Sequence, residues 1–317
     1  MIRSIRDAAR LTAAASFALL LAACGGSSTD TPAAPPLFSK VYVFGASTSD
    51  TGNACNLTAA ACTPAPYASP RFSNGPLFAE VIASRYGAST TPSRLGGTNF
   101  AYSSARTGPI AGTTQGVPNM VTQVEQYLAS VNYQANPQYL YIIDVVSVGN
   151  DIVDALTLSA TNPNAPATVL TGAVTNVFRM VSGLYAAGAR HIVLSNSTDI
   201  GKTPRAQALG PTAVAGATQL SLQFNGGLAQ QLPAIRAASP GLNLYFLDVG
   251  AFTAEAMANP AALGFTNVTE ACLNDLLPTP TFCGAAASGY FYWDSFHPSA
   301  TASNLLAQRA LALLPSP

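Results

Sequence analysis

Two rhythms of apolar and polar positions alternate along the chain: short β-branched or aromatic runs, and longer stretches with apolar residues at helical spacing. Residues 41–45 form a compact apolar run closed by Gly45, the pattern of a strand buried on both faces. Residues 77–86 have the helical rhythm and precede Gly87, a suitable C-terminal cap. Residues 120–131 place Met120, Val121, Val124, Tyr127, Leu128 and Val131 on one helical face. The strongest strand pattern spans residues 139–148, with Asp144 as an unassigned polar interruption. A long helix over 168–187 stops at Gly188, and a strand follows at 191–195. Residues 213–238 read as helix despite Gly216, Gly226 and Gly227, then 243–249 as strand and 300–314 as a closing helix. Strands alternating with helices predict an α/β fold with a parallel central sheet covered on both faces. Neither an internal repeat nor a second core is evident, so residues 39–317 are expected to form one domain. Residues 260–296 read as one long irregular excursion, and such excursions often carry function.

Composition narrows the chemistry. Of 317 residues 49% are hydrophobic and only 9% charged, and fourteen Lys and Arg balance fourteen Asp and Glu. There is no basic field for nucleic acid and no polybasic patch for anionic lipid. Two histidines in all exclude a histidine-rich metal site, and no metal or other cofactor is expected.

At the amino terminus Arg3, Arg6 and Arg10 precede an apolar stretch, residues 11–23, too brief to span a bilayer stably. Leu21-Ala22-Ala23-Cys24 resembles the lipobox of bacterial lipoproteins. The resemblance implies a signal peptide at 1–23, acylation of Cys24 and anchoring to a membrane through that lipid. In that class an aspartate after the cysteine favours inner-membrane retention; Gly25 stands there, so the outer membrane of a Gram-negative cell is expected, on a side left open. Ordinary secretion is the alternative. Residues 24–38, rich in Ser, Thr, Ala and Pro, read as a tether. The remaining cysteines fall in two local pairs, and Cys55–Cys62 and Cys272–Cys283 are the favoured disulfides, since each would close a short loop in an oxidising compartment.

Reactive groups in open parallel sheets gather at the carboxyl edge of the strands. Ser47 lies in the turn leaving the first expected strand, where backbone N–H groups favour developing negative charge, although such a Ser more commonly caps a helix. Near the other end, Asp294 precedes His297 by three residues, a spacing that lets a carboxylate orient an imidazole. Alone this is a weak signal, equally served by a capped turn with Pro298 opening a helix. No GxGxxG turn or phosphate-binding Lys loop is present.

Together these segments resemble the GDSL family of esterases and lipases, also called SGNH hydrolases. Residues 44–53 match eight of the ten positions of the family's first block, Phe-Gly-Asp-Ser-Leu-Ser-Asp-Thr-Gly-Asn. Arg71-Phe72-Ser73-Asn74-Gly75-Pro76 resembles the branch of bacterial lysophospholipases, lecithinases and autotransported esterases. Gly96-Gly97-Thr98-Asn99-Phe100-Ala101, Gly149-Asn150-Asp151 and residues 294–298 follow in family order. The resemblance implies a three-layer α/β/α, flavodoxin-like fold and a cofactor-free esterase or lipase acting as a monomeric catalytic domain. It assigns Ser47 as nucleophile, His297 as base, Asp294 as its partner, and the Ser47 N–H, Ser104 N–H and Asn150 amide as oxyanion donors. The expected substrate is a lipid or small acyl ester. Acyl transfer to a lipid or glycan acceptor, or a non-catalytic binding lipoprotein of the same fold, are the competing readings.

Four departures bear on that assignment. Ala46 and Thr48 replace the family's Asp and Leu around the nucleophile, and Val148 replaces a common Gly. Ser103-Ser104 stand where the family has a Gly pair, so Ser104 is expected to donate only if it avoids positive φ. Asp151 is expected to cap a helix beginning near Ile152, and His191 to be structural. Lys202 and Arg205 are expected on a solvated loop edge. The aromatic run Tyr290, Phe291, Tyr292 and Trp293 suits either an acyl pocket or the core.

Overall fold

The computed structural model describes residues 37–316. Cys24, the expected signal peptide and nearly all of the tether lie outside the described residues. Four parallel strands form the main sheet in sequence order: β1 (Val41–Phe44), β2 (Leu140–Ile143), β3 (His191–Ser195) and β4 (Asn243–Leu247). On the outer side of β1, Asn99 makes a single parallel bridge to Val43, with Val43 N–H donating to Thr98 O and Phe100 N–H to Val43 O. The chain therefore leaves β1 to one side and returns to pair with its other side. That reversal is a topological switch point, where a crevice opens at the strand's carboxyl end.

Strict alternation along the strands builds two cores. Tyr42, Phe44, Tyr141, Ile143, Ile192 and Leu194 face one side. The helices that cover this side are those that carry Met120, Ile152, Val177 and Phe224. In chain order the helices are α1 (Asn53–Leu57), α2 (Phe78–Arg85), α3 (Met120–Ser130), α4 (Val148–Ser159), α5 (Ala165–Ala186), α6 (Pro204–Ala208), α7 (Pro211–Ala238), α8 (Val249–Ala258) and α9 (Ala300–Leu313). Thus α3, α4, α5 and α7 cover the first face. Val41, Val43, Leu140, Ile142 and Val193 point the other way, onto α2, α8 and α9. The result is a three-layer α/β arrangement with the sheet in the middle. No helix among the described residues is long and apolar enough to cross a membrane.

Three expectations need correction. The strand expected over 139–148 stops at Ile143, because Asp144 turns its carboxylate back to accept the Val146 N–H and caps a short 3-10 turn. Helix α4 then starts at Val148, so Asn150 and Asp151 lie in a helical turn rather than at a strand end. The strand expected to reach Val249 ends at Leu247, because Asp248 accepts the Ala251 N–H and opens α8, a helix the apolar rhythm had hidden. The excursion also has order of its own. Strands β5 (Asn267–Ala271) and β8 (Tyr290–Tyr292) pair in parallel, and β6 (Leu273–Asn274) and β7 (Thr281–Phe282) pair antiparallel.

Candidate active site

The turn after β1 is held by buried polar side chains. Gln123 on α3 grips Gly45 at both backbone groups, accepting its N–H and donating to its carbonyl, each at 3.0 Å. The strand hydrogen-bonding is thereby handed to a side chain where the chain leaves the sheet. Asp50 accepts the N–H groups of Gly52, Asn53 and Ala54 and, from across the crevice, that of Ser103 at 2.7 Å. Asn99 donates to Ser49 O, and Asn53 donates to the carbonyls of Asn99 and Ala101. Asp144 sits fully buried behind the turn and accepts the hydroxyls of Thr48 at 2.5 Å and Ser49 at 2.7 Å. Burial pushes its carboxyl pKa up, with these hydroxyls opposing that. Thr48, a departure from the family block, thus has a definite partner. Ala46, the other departure, is packed among Tyr102 and Ala105.

The second group comes from the far end of the chain. Asp294 folds an Asx-type turn, its Oδ1 accepting the N–H of Phe296 at 2.8 Å and of His297 at 2.6 Å. The same turn brings the His297 ring against the carboxylate, with Nδ1 2.7 Å from Oδ2. Tyr67 donates its hydroxyl to that oxygen at 2.8 Å. Burial pushes the Asp294 carboxyl up, but the His297 charge and hydrogen bond and the two N–H donors outweigh it, leaving the pKa below the ordinary value. An ionised carboxylate can only accept, so in the neutral ring Nδ1 is the nitrogen that carries the proton and Nε2 is left as an acceptor. Nε2 lies 2.8 Å from Ser47 Oγ. A hydroxyl, a proton acceptor and an orienting carboxylate are therefore in line.

The Arg71–Pro76 block explains itself as a clamp on this turn. Arg71 forms a two-pronged pair with Glu80, Ser73 donates to Pro298 O, and Asn74 accepts the Ala300 N–H that opens α9. Phe72 lies 5.3 Å, centroid to centroid, from the His297 ring.

The expected oxyanion donors sit on two adjoining pieces. Asn150 shares a cavity wall with Ser47, and its Nδ2 donates to Ala105 O at 2.8 Å, which fixes the amide plane. Ser104 does not avoid positive φ: it stands at +68°, the conformation a glycine would adopt there. A serine here holds a conformation that favours glycine, at a cost of order 1 kcal/mol. Asp151 is not the cap expected: it is buried inside α4 and accepts both the N–H and hydroxyl of Thr107. Burial, opposed by those bonds, pushes its pKa up to about 7. Arg106 pairs with Asp154 of the same helix, so the 104–107 loop is fastened twice.

The cavity beside Ser47 is narrow, about 50 Å³, and mainly apolar, walled by Phe78, Val146, Phe252, Phe291, Tyr292 and Leu306. The aromatic run therefore divides. Phe291 and Tyr292 reach the cavity, whereas Trp293 packs against Tyr67 and Phe282. Cys55 is bonded to Cys62 and Cys272 to Cys283, the local pairing expected from the sequence. His191 packs on Phe38 and Tyr245 away from Ser47, and Lys202 and Arg205 are exposed. Among the described residues no group of three His, Cys, Asp or Glu is placed to hold a metal ion.

Sequence reasoning gave no role to Gln123 or Tyr67. Gln123 looks like one polar residue among the apolar positions of α3, and Tyr67 lies 227 residues from its partner, with no local signal for the pairing.

Comparison with known proteins points the same way. The chain is 26% identical over 306 residues to a GDSL esterase/lipase of Arabidopsis thaliana, covering 86% of this chain and 88% of the relative. A second Arabidopsis GDSL esterase/lipase is 25% identical over 299 residues, covering 82% and 85%. A third shares 31% identity over 150 residues, 44% of this chain and 40% of its own length. The profile of GDSL-like lipases/acylhydrolases matches residues 41–310, nearly the whole described region, and the chain belongs to that family.

Proposed function

We propose that the protein is a serine ester hydrolase working through an acyl-enzyme. The observation that carries the reading is the continuous relay from Ser47 Oγ to His297 Nε2 and from His297 Nδ1 to Asp294. Ser47 Oγ attacks the ester carbonyl carbon while its proton passes to His297 Nε2. The negative charge on the carbonyl oxygen is met by the Ser47 N–H and by the second Nδ2 hydrogen of Asn150, while Ser104, at positive φ, does not meet the condition set for it. One such donor is typically worth about 3 kcal/mol. Collapse of the tetrahedral species breaks the C–O bond, and the alcohol leaves with the proton from His297. Water then attacks the acyl-Ser47, giving its proton to His297; the second collapse returns that proton to Ser47 Oγ and releases the carboxylic acid. Asp294 remains a carboxylate throughout and balances the imidazolium, a role its depressed pKa supports.

Replacing Ser47 by Ala should remove fluorophosphonate labelling and lower ester turnover by about 10⁴-fold or more, with circular dichroism unchanged. Retained labelling would put the nucleophile elsewhere.

Residues 39–317 are proposed to act as a single monomeric catalytic domain held to the outer membrane through acylated Cys24. The leader and Leu21-Ala22-Ala23-Cys24 support this. In a Gram-negative host the full chain should incorporate a fatty-acid analogue, and Cys24→Ser should not; an unlabelled wild type would leave simple secretion.

A further inference from the structure

The hydrogen-bond partners of Asp294 divide unevenly between its two oxygens. Oδ1 accepts the Phe296 and His297 N–H groups of its own turn, at 2.8 and 2.6 Å. Those two bonds fix the carboxylate plane without help from elsewhere in the chain. Oδ2 is the oxygen nearer the His297 ring, 2.7 Å from Nδ1 against 2.9 Å for Oδ1. It is Oδ2 that also takes the Tyr67 hydroxyl, at 2.8 Å. Tyr67 is set there by a loop tied to itself: Tyr67 N–H donates to Pro64 O, the Thr63 hydroxyl to Arg71 O, and Ala68 N–H to Ser73 O. The Tyr67 ring packs edge-on against Trp293, centroids 5.8 Å apart. Burial, then the charges of Asp294 and Asp275, push the Tyr67 phenol well above its ordinary range, so the hydroxyl keeps its proton. Asp275 in turn accepts the Ser295 N–H.

Two donors on one oxygen share its charge. Resting on the esterase reading, we propose that Tyr67 is a positioning residue that acts through Asp294: by holding part of the Oδ2 charge it lets the imidazolium hand its Nε2 proton to the departing alcohol. A carboxylate with His297 alone on Oδ2 would grip the imidazolium harder. The proton would still be taken from Ser47, but given up less readily as the ester C–O bond breaks and its electron pair moves onto the alcohol oxygen. Substrates feel this unequally. An alkyl alcohol needs that proton in order to leave, whereas p-nitrophenol departs as a stable anion without it.

The test compares kcat/KM, which covers the steps through alcohol release, on methyl butyrate and p-nitrophenyl butyrate at matched pH. In Tyr67→Phe, which keeps the ring against Trp293, the methyl-to-nitrophenyl ratio should fall about tenfold, whatever loss the two esters share; general acid–base catalysis as a whole supplies roughly 10²–10⁴-fold. Proton NMR gives a second readout. The chain has two histidines, so isotope labelling of histidine identifies the His297 Nδ1 proton, which should move downfield once Oδ2 has no other donor. Equal losses on both esters, or an unmoved resonance, would make Tyr67 a packing residue and overturn the inference. Thr63→Val loosens the same loop without touching Asp294. It should lower the melting temperature and leave the ratio and the resonance in place; a matching shift in either would assign the effect to the fit of the loop and overturn the inference as well. A wild type that labels with fluorophosphonate and turns over esters, beside a Tyr67→Phe with an unchanged ratio, sinks this inference alone. A wild type that does neither sinks the hydrolase reading with it.

Discussion

Ser47 and His297 are held by different physics. The turn bearing Ser47 is fixed by buried side chains that bond main chain or each other: Gln123 on Gly45, Asp50 on four N–H groups, Asp144 on Thr48 and Ser49. The turn bearing His297 shares such bonds, from Asp294, Ser73 and Asn74, but adds a covalent bridge, short strand pairs and aromatic packing on the segment that leads into it. Cys272 N–H donates to Tyr292 O, Leu273 N–H to Trp293 O, and Ser295 N–H to the Asp275 carboxylate. In the first region each member is desolvated on the assumption that all the others are present, so loss of one strands the rest. In the second, each tie restrains the loop separately. The first should fail abruptly, the second by degrees.

The largest expected effect tests that contrast directly. Asp144→Ala leaves the buried Ser49 hydroxyl and the half-buried Thr48 hydroxyl unmatched and should lower the unfolding free energy by about 3 kcal/mol in urea titrations. Ester turnover should fall with it. If Asp144→Ala costs less than removing a disulfide, the two regions have been ranked the wrong way round.

Next comes the disulfide pair. Replacing Cys272 and Cys283 by Ser should cost about 2–3 kcal/mol from loop entropy, less any native strain relieved. It should also raise KM or lower kcat several-fold, because the bridge braces the strands that lead into Asp294. Removing Cys55–Cys62 should lower the melting temperature with little kinetic change, since the Ser47 turn is held by the polar network. Equal kinetic effects from the two bridges would erase the distinction.

Two buried carboxylates sharpen it in opposite directions with pH. Asp151 binds its proton more tightly in the folded chain, so between the unfolded carboxylate range and about 7 the folded state holds more protons and stability falls as pH rises. The expected loss from pH 5 to 7 is roughly 2 kcal/mol, and Asp151→Asn should flatten it. Asp294, whose pKa is depressed, contributes stability above the unfolded range that is lost as pH falls through its folded value. A melting curve whose pH slope is unchanged by Asp151→Asn would remove that residue from the account.

The smallest effect concerns Ser104. Ser104→Gly should stabilise by up to about 1 kcal/mol, because glycine adopts φ near +68° without steric cost, and should leave kcat equal or higher. A loss of turnover would mean that the serine side chain contributes something its backbone position does not reveal.

Most of the sheet and its covering helices were legible because both sides of the sheet are buried, which forces apolar runs in β1, β2 and β3 and periodic faces in α3 and α5. Boundaries were misplaced at Asp144 and Asp248, where one carboxylate turning back onto the main chain decides that a strand ends. Hydrophobic rhythm carries no record of that event. Ser47, Asp294 and His297 were legible as residue types in a recognisable order. Tyr67 and Gln123 were not, because their meaning lies in partners that only the folded chain supplies.

The Ser47–His297 hydrogen bond joins residues 250 positions apart. On the proposed mechanism Ser47 and His297 react together, and the second lies next to α9, which packs in one core with α2. No partial chain lacking α9 and the turn before it can hydrolyse an ester, however well its sheet has formed. The appearance of activity thus reports completion of the slowest kind of contact, the closure of a very long loop. If the proposed mechanism holds, a chain truncated before α9 is chemically silent, and a single turnover assay on truncated chains would read out the moment at which these two parts of the fold meet.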